Sequence, residues 1–327
     1  MLKIKTTAIL ALILSGCGGG GGGSSSNSNG GGGTIPTVAF TSWSAVQPNT
    51  TTVVPGSSQE LSYTANANTD TVTSVSAISP NELGAKYFLT TNANNQASAL
   101  TFQSARGTVV AFNSANGSTL GSITRYFPTP QNYAKYTGAL TGDGSSVSLI
   151  ADERFAGWNY QSYGVWISGL GAGSGTAGVA SVGSQTTPNN VPTTGSATFR
   201  GSSAGLWLTP VGGYFITTAA MTANVSFTNR TIDISTVNTS AASAANVIAG
   251  NFGTSVPGLN LTGTLSYASG ASRATGTVAT ASGYNGTPLS GPATSTFYGP
   301  TASEIGGTFS VNGTGGEAYA GAFGGKR

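Results

Sequence analysis

The chain has 327 residues, enough for one large or two modest domains. Only 6% are charged, with 12 basic against 9 acidic residues, and there is no histidine. That absence excludes Ser-His-Asp and Cys-His catalysis, His-ligated zinc and haem, and a histidine switch near neutral pH.

The N-terminus reads MLKIKTTAILALILSGC. Lys3 and Lys5 form a positive start, residues 6–14 a short apolar run, and Cys17 closes the segment. The apolar run is too short to span a bilayer, so a signal peptide is expected rather than a membrane helix. Leu14-Ser15-Gly16-Cys17 resembles the bacterial lipobox, which implies cleavage before Cys17 and acylation of that residue. Cys17 is the single cysteine, so no disulfide can form within the chain. Removal of Lys3 and Lys5 would leave 10 basic and 9 acidic residues. That near-neutral balance gives no case for nucleic acid binding. Gly18 lacks the aspartate that favours inner-membrane retention, which is compatible with delivery to the outer membrane. Residues 18–33 are only Gly, Ser and Asn, a flexible coil reaching roughly 22 Å. We expect 1–16 to be a lipoprotein signal peptide and 17–36 an acylated cysteine with its Gly/Ser-rich tether.

The remaining chain reads as all-β. Its 13 Phe, 12 Tyr and 4 Trp are spread among short apolar alternations separated by Gly and Asn. Residues 37–183 hold strand-like pieces such as QELSYTA, KYFLTT, GTVVAF, SVSLIADERF and YGVWISGL. Residues 184–195, SQTTPNNVPTTG, read as a linker or long turn. In 196–327 the period is two: Met221, Ala223, Val225 and Phe227 alternate with Thr222, Asn224 and Ser226. Leu259, Leu261, Gly263, Leu265 and Tyr267 repeat the pattern. Further strands are expected at 197–201, 230–236, 247–252, 272–281, 293–298, 306–311 and 318–323. Eight to ten short antiparallel strands suggest a closed barrel, which leaves no exposed edge. A transmembrane barrel would also alternate, but no lipid-facing apolar band or aromatic girdle stands out.

Several pieces of the second half resemble the β-barrel domain of bacterial transferrin-binding protein B and its relatives, factor H-binding protein and the haemoglobin–haptoglobin utilisation lipoproteins. These are PTTGSATFRG at 192–201, MTANVSFTNRTID at 221–233, LSGPATSTFYGPTASEIGGTFSV at 289–311 and AGAFGGKR at 320–327. FAGWNYQSYGVWISG, 155–169, resembles the segment that precedes such barrels. The resemblance implies a C-terminal eight-stranded antiparallel barrel at 196–327, preceded by a handle-like β domain at 37–183. It implies a surface-exposed outer-membrane lipoprotein that binds a host protein or solute in nutrient acquisition, iron or haem included. It also implies export by the surface lipoprotein assembly modulator translocon. The family has no catalytic residues or cofactor to transfer. A structural or adhesive surface role is the alternative.

Motifs that could carry chemistry fit this picture poorly. GSGTAG at 173–178 has the dinucleotide spacing, but neither a helix nor an acid follows it. GSSAG at 201–205 lacks the histidine a nucleophile elbow needs. Asp152 and Glu153 are adjacent and would point to opposite faces of a strand, with Arg154 beside them. Trp158, Tyr160, Tyr163 and Trp166 are read two ways, as packing at the junction of the two halves or as a ligand surface. Thr301-Ala302-Ser303-Glu304 matches a capping box, so Glu304 is expected to bond back to the Thr301 amide in a single helical turn.

Overall fold

The computed structural model describes residues 35–327, apart from 70, 128–132, 153–156, 210, 314 and 315. The expected signal peptide, Cys17 and most of the tether lie outside the described residues, as do Glu153 and Arg154. Residues Ile35–Arg327 form one compact unit. In chain order its first eleven strands are β1 (Thr37–Ala39), β2 (Thr51–Ala65), β3 (Val72–Val75), β4 (Glu82–Thr91), β5 (Ala97–Gln103), β6 (Val109–Phe112), β7 (Thr119–Tyr126), β8 (Tyr133–Leu140), β9 (Ser146–Ala151), β10 (Gln161–Ser168) and β11 (Ser174–Gly183). They make one sheet with the path β6-β5-β4-β2-β11-β10-β9-β8-β7, and β1 and β3 add to β2. The sheet curls into a half-barrel whose two ends, β6 and β7, do not pair.

The next nine strands are β12 (Ser196–Leu208), β13 (Tyr214–Ser226), β14 (Thr231–Ala242), β15 (Thr254–Ser255), β16 (Leu261–Ser266), β17 (Arg273–Thr280), β18 (Ser290–Tyr298), β19 (Glu304–Asn312) and β20 (Ala318–Lys326). Eight of them close on themselves, because β13 pairs with both β12 and β14. The ninth, β15, only extends β14. The fold is therefore all-β, with a closed eight-stranded antiparallel barrel after an open, curled sheet.

The barrel interior is packed rather than hollow. Phe199, Met221, Val225, Ile232, Phe297, Phe309 and Phe323 point into it and are buried. Phe297 lies centrally, with ring centroids 6.3 Å from Phe199, 5.9 Å from Phe227 and 5.4 Å from Tyr267. A second cluster packs within part of the half-barrel, with Val54, Leu89, Leu100, Phe112 and Trp166. A third joins the lobes, where Tyr136, Leu149, Tyr163, Val165 and Val179 meet Ala204, Leu206, Ala320 and Ala322. The barrel's outer wall at β12, β19 and β20 is thus covered by β10 and β11 of the open sheet.

Two local expectations need correction. Residues 247–252 do not form a strand. Ser243 caps a short helix there, α1 (Ala244–Ile248), by accepting the Asn246 amide, and a Ser side chain in that role favours a helix start. Residues 301–304 form no helical turn. Ala302 takes a left-handed backbone with φ 54°, and Glu304 opens β19 directly.

Phe297 has 1% of its surface exposed. We expect Phe297→Ala to destabilise the protein by about 3–5 kcal/mol in denaturant melts, the usual loss for a buried aromatic.

Candidate functional site

The seam between open sheet and barrel gathers most of the residues that the sequence singled out. It depends on β10, which is buried on both faces. Alternation sends Tyr163, Val165 and Ile167 toward the barrel and Trp166 into the half-barrel. Trp158 and Tyr163 are 6% and 1% exposed, with ring centroids 5.7 Å apart. Trp166 stacks on Phe102 at 4.3 Å and is 1% exposed. Tyr160 is half-buried, its ring lying against Gly299, where a Cβ would come within 2.6 Å of it. The structure therefore places Trp158, Tyr163 and Trp166 in the interior and not on a surface open to a ligand. Junction packing describes Trp158, Tyr160 and Tyr163, while Trp166 belongs to the core of the open sheet.

Hydroxyl groups cross the seam in pairs. Tyr163 and Ser202 hydroxyls are 2.6 Å apart, those of Ser181 and Tyr298 2.9 Å, and the Tyr136 hydroxyl donates to the Ser203 carbonyl at 3.2 Å. Gln59 Nε2 donates to Ser310 at 3.2 Å, and Asn81 Nδ2 to Thr308 at 2.6 Å. Burial pushes the Tyr298 hydroxyl up to about 12, and it holds Tyr163 well above the usual phenol range.

Glu304 is the centre of this seam. It is 4% exposed, and its two carboxylate oxygens accept the amides of Asn159 at 2.6 Å and Tyr160 at 2.9 Å. Its partner is thus a loop of the open sheet, 144 residues earlier, and not the Thr301 amide of its own turn. The turn is held instead by Arg327, which donates to the carbonyls of Thr301 and Ala302. Burial raises the Glu304 pKa. The amides of Asn159, Tyr160 and Gln161 and the Lys326 ammonium work in the opposite direction.

The same Asn159–Gln161 segment receives the N-terminal part of the unit. Asn159 accepts the Trp43 amide at 2.8 Å through its carbonyl, and Gln161 accepts the Trp43 indole at 2.9 Å. Residues 184–195, expected as a linker, also dock. Thr186 donates its amide to the Phe297 carbonyl at 2.8 Å and its hydroxyl to the Gly299 carbonyl at 2.6 Å.

A second buried carboxylate, Glu317, accepts the Trp207 indole at 2.8 Å and the Tyr284 amide at 2.8 Å. Glu304 starts β19, and Glu317 precedes Ala318, which pairs with the last residue of β19. Eight residues of strand separate them, roughly 27 Å, so they do not converge on one bond as a glycosidase requires. Among the described residues no three His, Cys, Asp or Glu gather into a metal-binding group. No described helix is long and apolar enough to cross a membrane.

These features define a two-lobed, all-β protein in which a filled barrel supports an open sheet. Residues 191–327 match the family model for the C-lobe and N-lobe β-barrels of Tf-binding protein B. The barrel half of the chain is therefore similar to the β-barrels of transferrin-binding protein B. No curated protein matches the chain. Among solved structures, transferrin binding protein B from Haemophilus parasuis is 11% identical, with 84% of this chain and 76% of that one covered at a TM-score of 0.42. The serogroup B Neisseria meningitidis protein is 17% identical, with 76% and 52% covered at a TM-score of 0.40. A structure described as a surface lipoprotein is 13% identical, with 82% and 98% covered at a TM-score of 0.40.

Replacing Glu304 by Ala leaves two buried amides unpaired, each costing about 1–3 kcal/mol. Calorimetry of Glu304→Ala is expected to show that loss. The pH dependence has a definite sign. A carboxyl with a raised folded pKa contributes stability that is complete below its ordinary value of 4.5 and is lost as pH rises through the folded value. Glu304→Gln is expected to flatten that part of the stability–pH curve; an unchanged slope would assign it to another group.

Proposed function

We propose that this protein is a lipid-anchored protein of the outer membrane, displayed on the cell surface, that binds a host macromolecule in nutrient acquisition, with an iron carrier as the first partner to test. The observation that carries this reading is the match of residues 191–327 to the Tf-binding protein B barrels. The lipobox-like sequence ending in Cys17 and the Gly/Ser run after it support display on a tether. An export partner of the surface lipoprotein assembly modulator type accords with the same reading. The mechanism is shape and hydrogen bonding from loops on a rigid β scaffold, since so low a charge gives little electrostatic steering.

Capture from host serum by cells displaying the protein tests the partner. Selective retention of transferrin, or of another iron or haem carrier, supports acquisition. Retention of cells or glycans with no such carrier would replace it by adhesion. Metabolic labelling with palmitate tests the anchor. Cys17→Ser is expected to abolish incorporation and to release the protein from the membrane fraction; labelling that persists would place acylation elsewhere.

A further inference from the structure

The open sheet holds a cleft that the barrel and the seam leave unused. Strand β6 ends at Phe112, opposite Leu100 of β5, and β5 runs on to Ala97 with no strand paired on that side. The other end of the sheet, β7, also has one unpaired side. Between these ends opens a cleft of about 550 Å³. That lies within the range of roughly 300–1,000 Å³ typical of small-molecule sites, which favour the mouths of β-barrels.

The lining has a definite chemistry. Leu89 and Leu100 are in-register partners on β4 and β5 and form one wall. Leu120 and Ile150 form the other. Ser122 pairs with Thr137, and Thr137 with Ile150, so these three share the inward face of β7, β8 and β9. Among the described residues neither the Ser122 nor the Thr137 hydroxyl has a hydrogen-bond partner. None of the described lining residues is Lys or Arg, and a carboxylate, Asp152, stands at the edge. The described lining thus offers no cation to receive an anionic ligand.

We propose that this cleft binds one small, non-anionic molecule with an apolar body and a hydrogen-bonding group at one end. Its body lies on Leu89, Leu100, Leu120 and Ile150, and its polar end meets Ser122 and Thr137. This site is separate from the macromolecular binding proposed above.

Fluorescence titration with Nile red, an uncharged apolar dye bearing a carbonyl, tests the site. The full chain carrying Cys17→Ser avoids acyl groups and the detergent they require. Saturable one-to-one binding is expected. Ser122→Trp sets an indole into the cleft from an edge strand and should weaken binding by at least about tenfold without lowering the melting temperature. If that variant melts early, Ala97→Phe fills the cleft from the opposite wall and should act alike. Thr137→Val should weaken binding by about two- to tenfold, the range for one lost hydrogen bond. An anionic naphthalene sulfonate dye should compete poorly. The barrel end has a smaller cavity of about 270 Å³ near Pro192 and Tyr267, and Ser269→Trp there should have no effect. Absence of saturable binding, full affinity in both cleft-filling variants, or loss of binding in Ser269→Trp would overturn the proposal.

Discussion

One buried carboxylate fixes how the two lobes meet. Glu304 sits where β19 begins and holds the amides of the loop that leads into β10. A carboxylate removed from water is costly unless hydrogen bonds replace its solvation, and here backbone amides supply them. What they hold is β10, the strand with one face in the seam and the other in the half-barrel core. A shift of that strand would move Tyr163 away from Ser202 and Trp166 away from Phe102 together. The Trp43 turn, hung on Asn159 and Gln161, would move with it. Packing in both sheets therefore depends on this one junction.

The seam also explains part of the composition. Chain segments can approach this closely only where the barrel's outer wall is small. A Cβ at Gly324 would lie 2.5 Å from the Gln161 side-chain amide, and one at Gly306 would lie 2.8 Å from Ser181 Oγ. Ser202, Ser203, Thr308 and Ser310 then provide hydroxyl and carbonyl partners for the tyrosines and for the side-chain nitrogens of Gln59 and Asn81, while the side-chain oxygens of Gln59 and Asn81 stay unpaired. Unpaired polar groups at such depth would be destabilising, whereas paired ones fix a single docking register. Glycine and serine that look like turn material in the sequence are here contact surface as well.

This division sets what the sequence could show. Where a strand has one face in water, as in β16 with Leu261 and Leu265 buried between exposed Thr262 and Thr264, period-two alternation marks it plainly. The barrel was legible for that reason, and the pieces at 192–201 and 289–311 carried its resemblance to the barrels of transferrin-binding protein B. Strands β10, β19 and β20 are buried almost throughout, so alternation could not say which lobe each side chain faced. Trp166 could not be separated from Tyr163 by spacing alone, although one enters the half-barrel and the other the seam. The capping-box pattern at 301–304 misled because a local hydrogen bond competes with a tertiary one, and the loop at Asn159 won. Residue spacing does not record a partner 144 positions away. The cleft left no sequence signal, since it arises where β6 and β7 fail to pair.

Closure and openness are assigned to different halves. The barrel has no free edge, and its lumen is occupied by Phe199, Phe297, Phe309 and Phe323, so no ligand can enter it without unpacking aromatic rings. Its outer wall at β12, β19 and β20 packs against β10 and β11 in the seam. The open sheet keeps two unpaired ends. Edges of that kind invite pairing with other chains unless they are short or charged. Strand β6 has four residues, and β7 carries Arg125, whose guanidinium lies 5.2 Å from the Phe127 ring centre and 5.5 Å from that of Phe252. Both ends are thus blunted without being joined. Joining them would close a second barrel and seal the space between Leu100 and Ile150. The incomplete sheet leaves the cleft between Leu100 and Ile150 open, and the filled barrel backs it with a packed support.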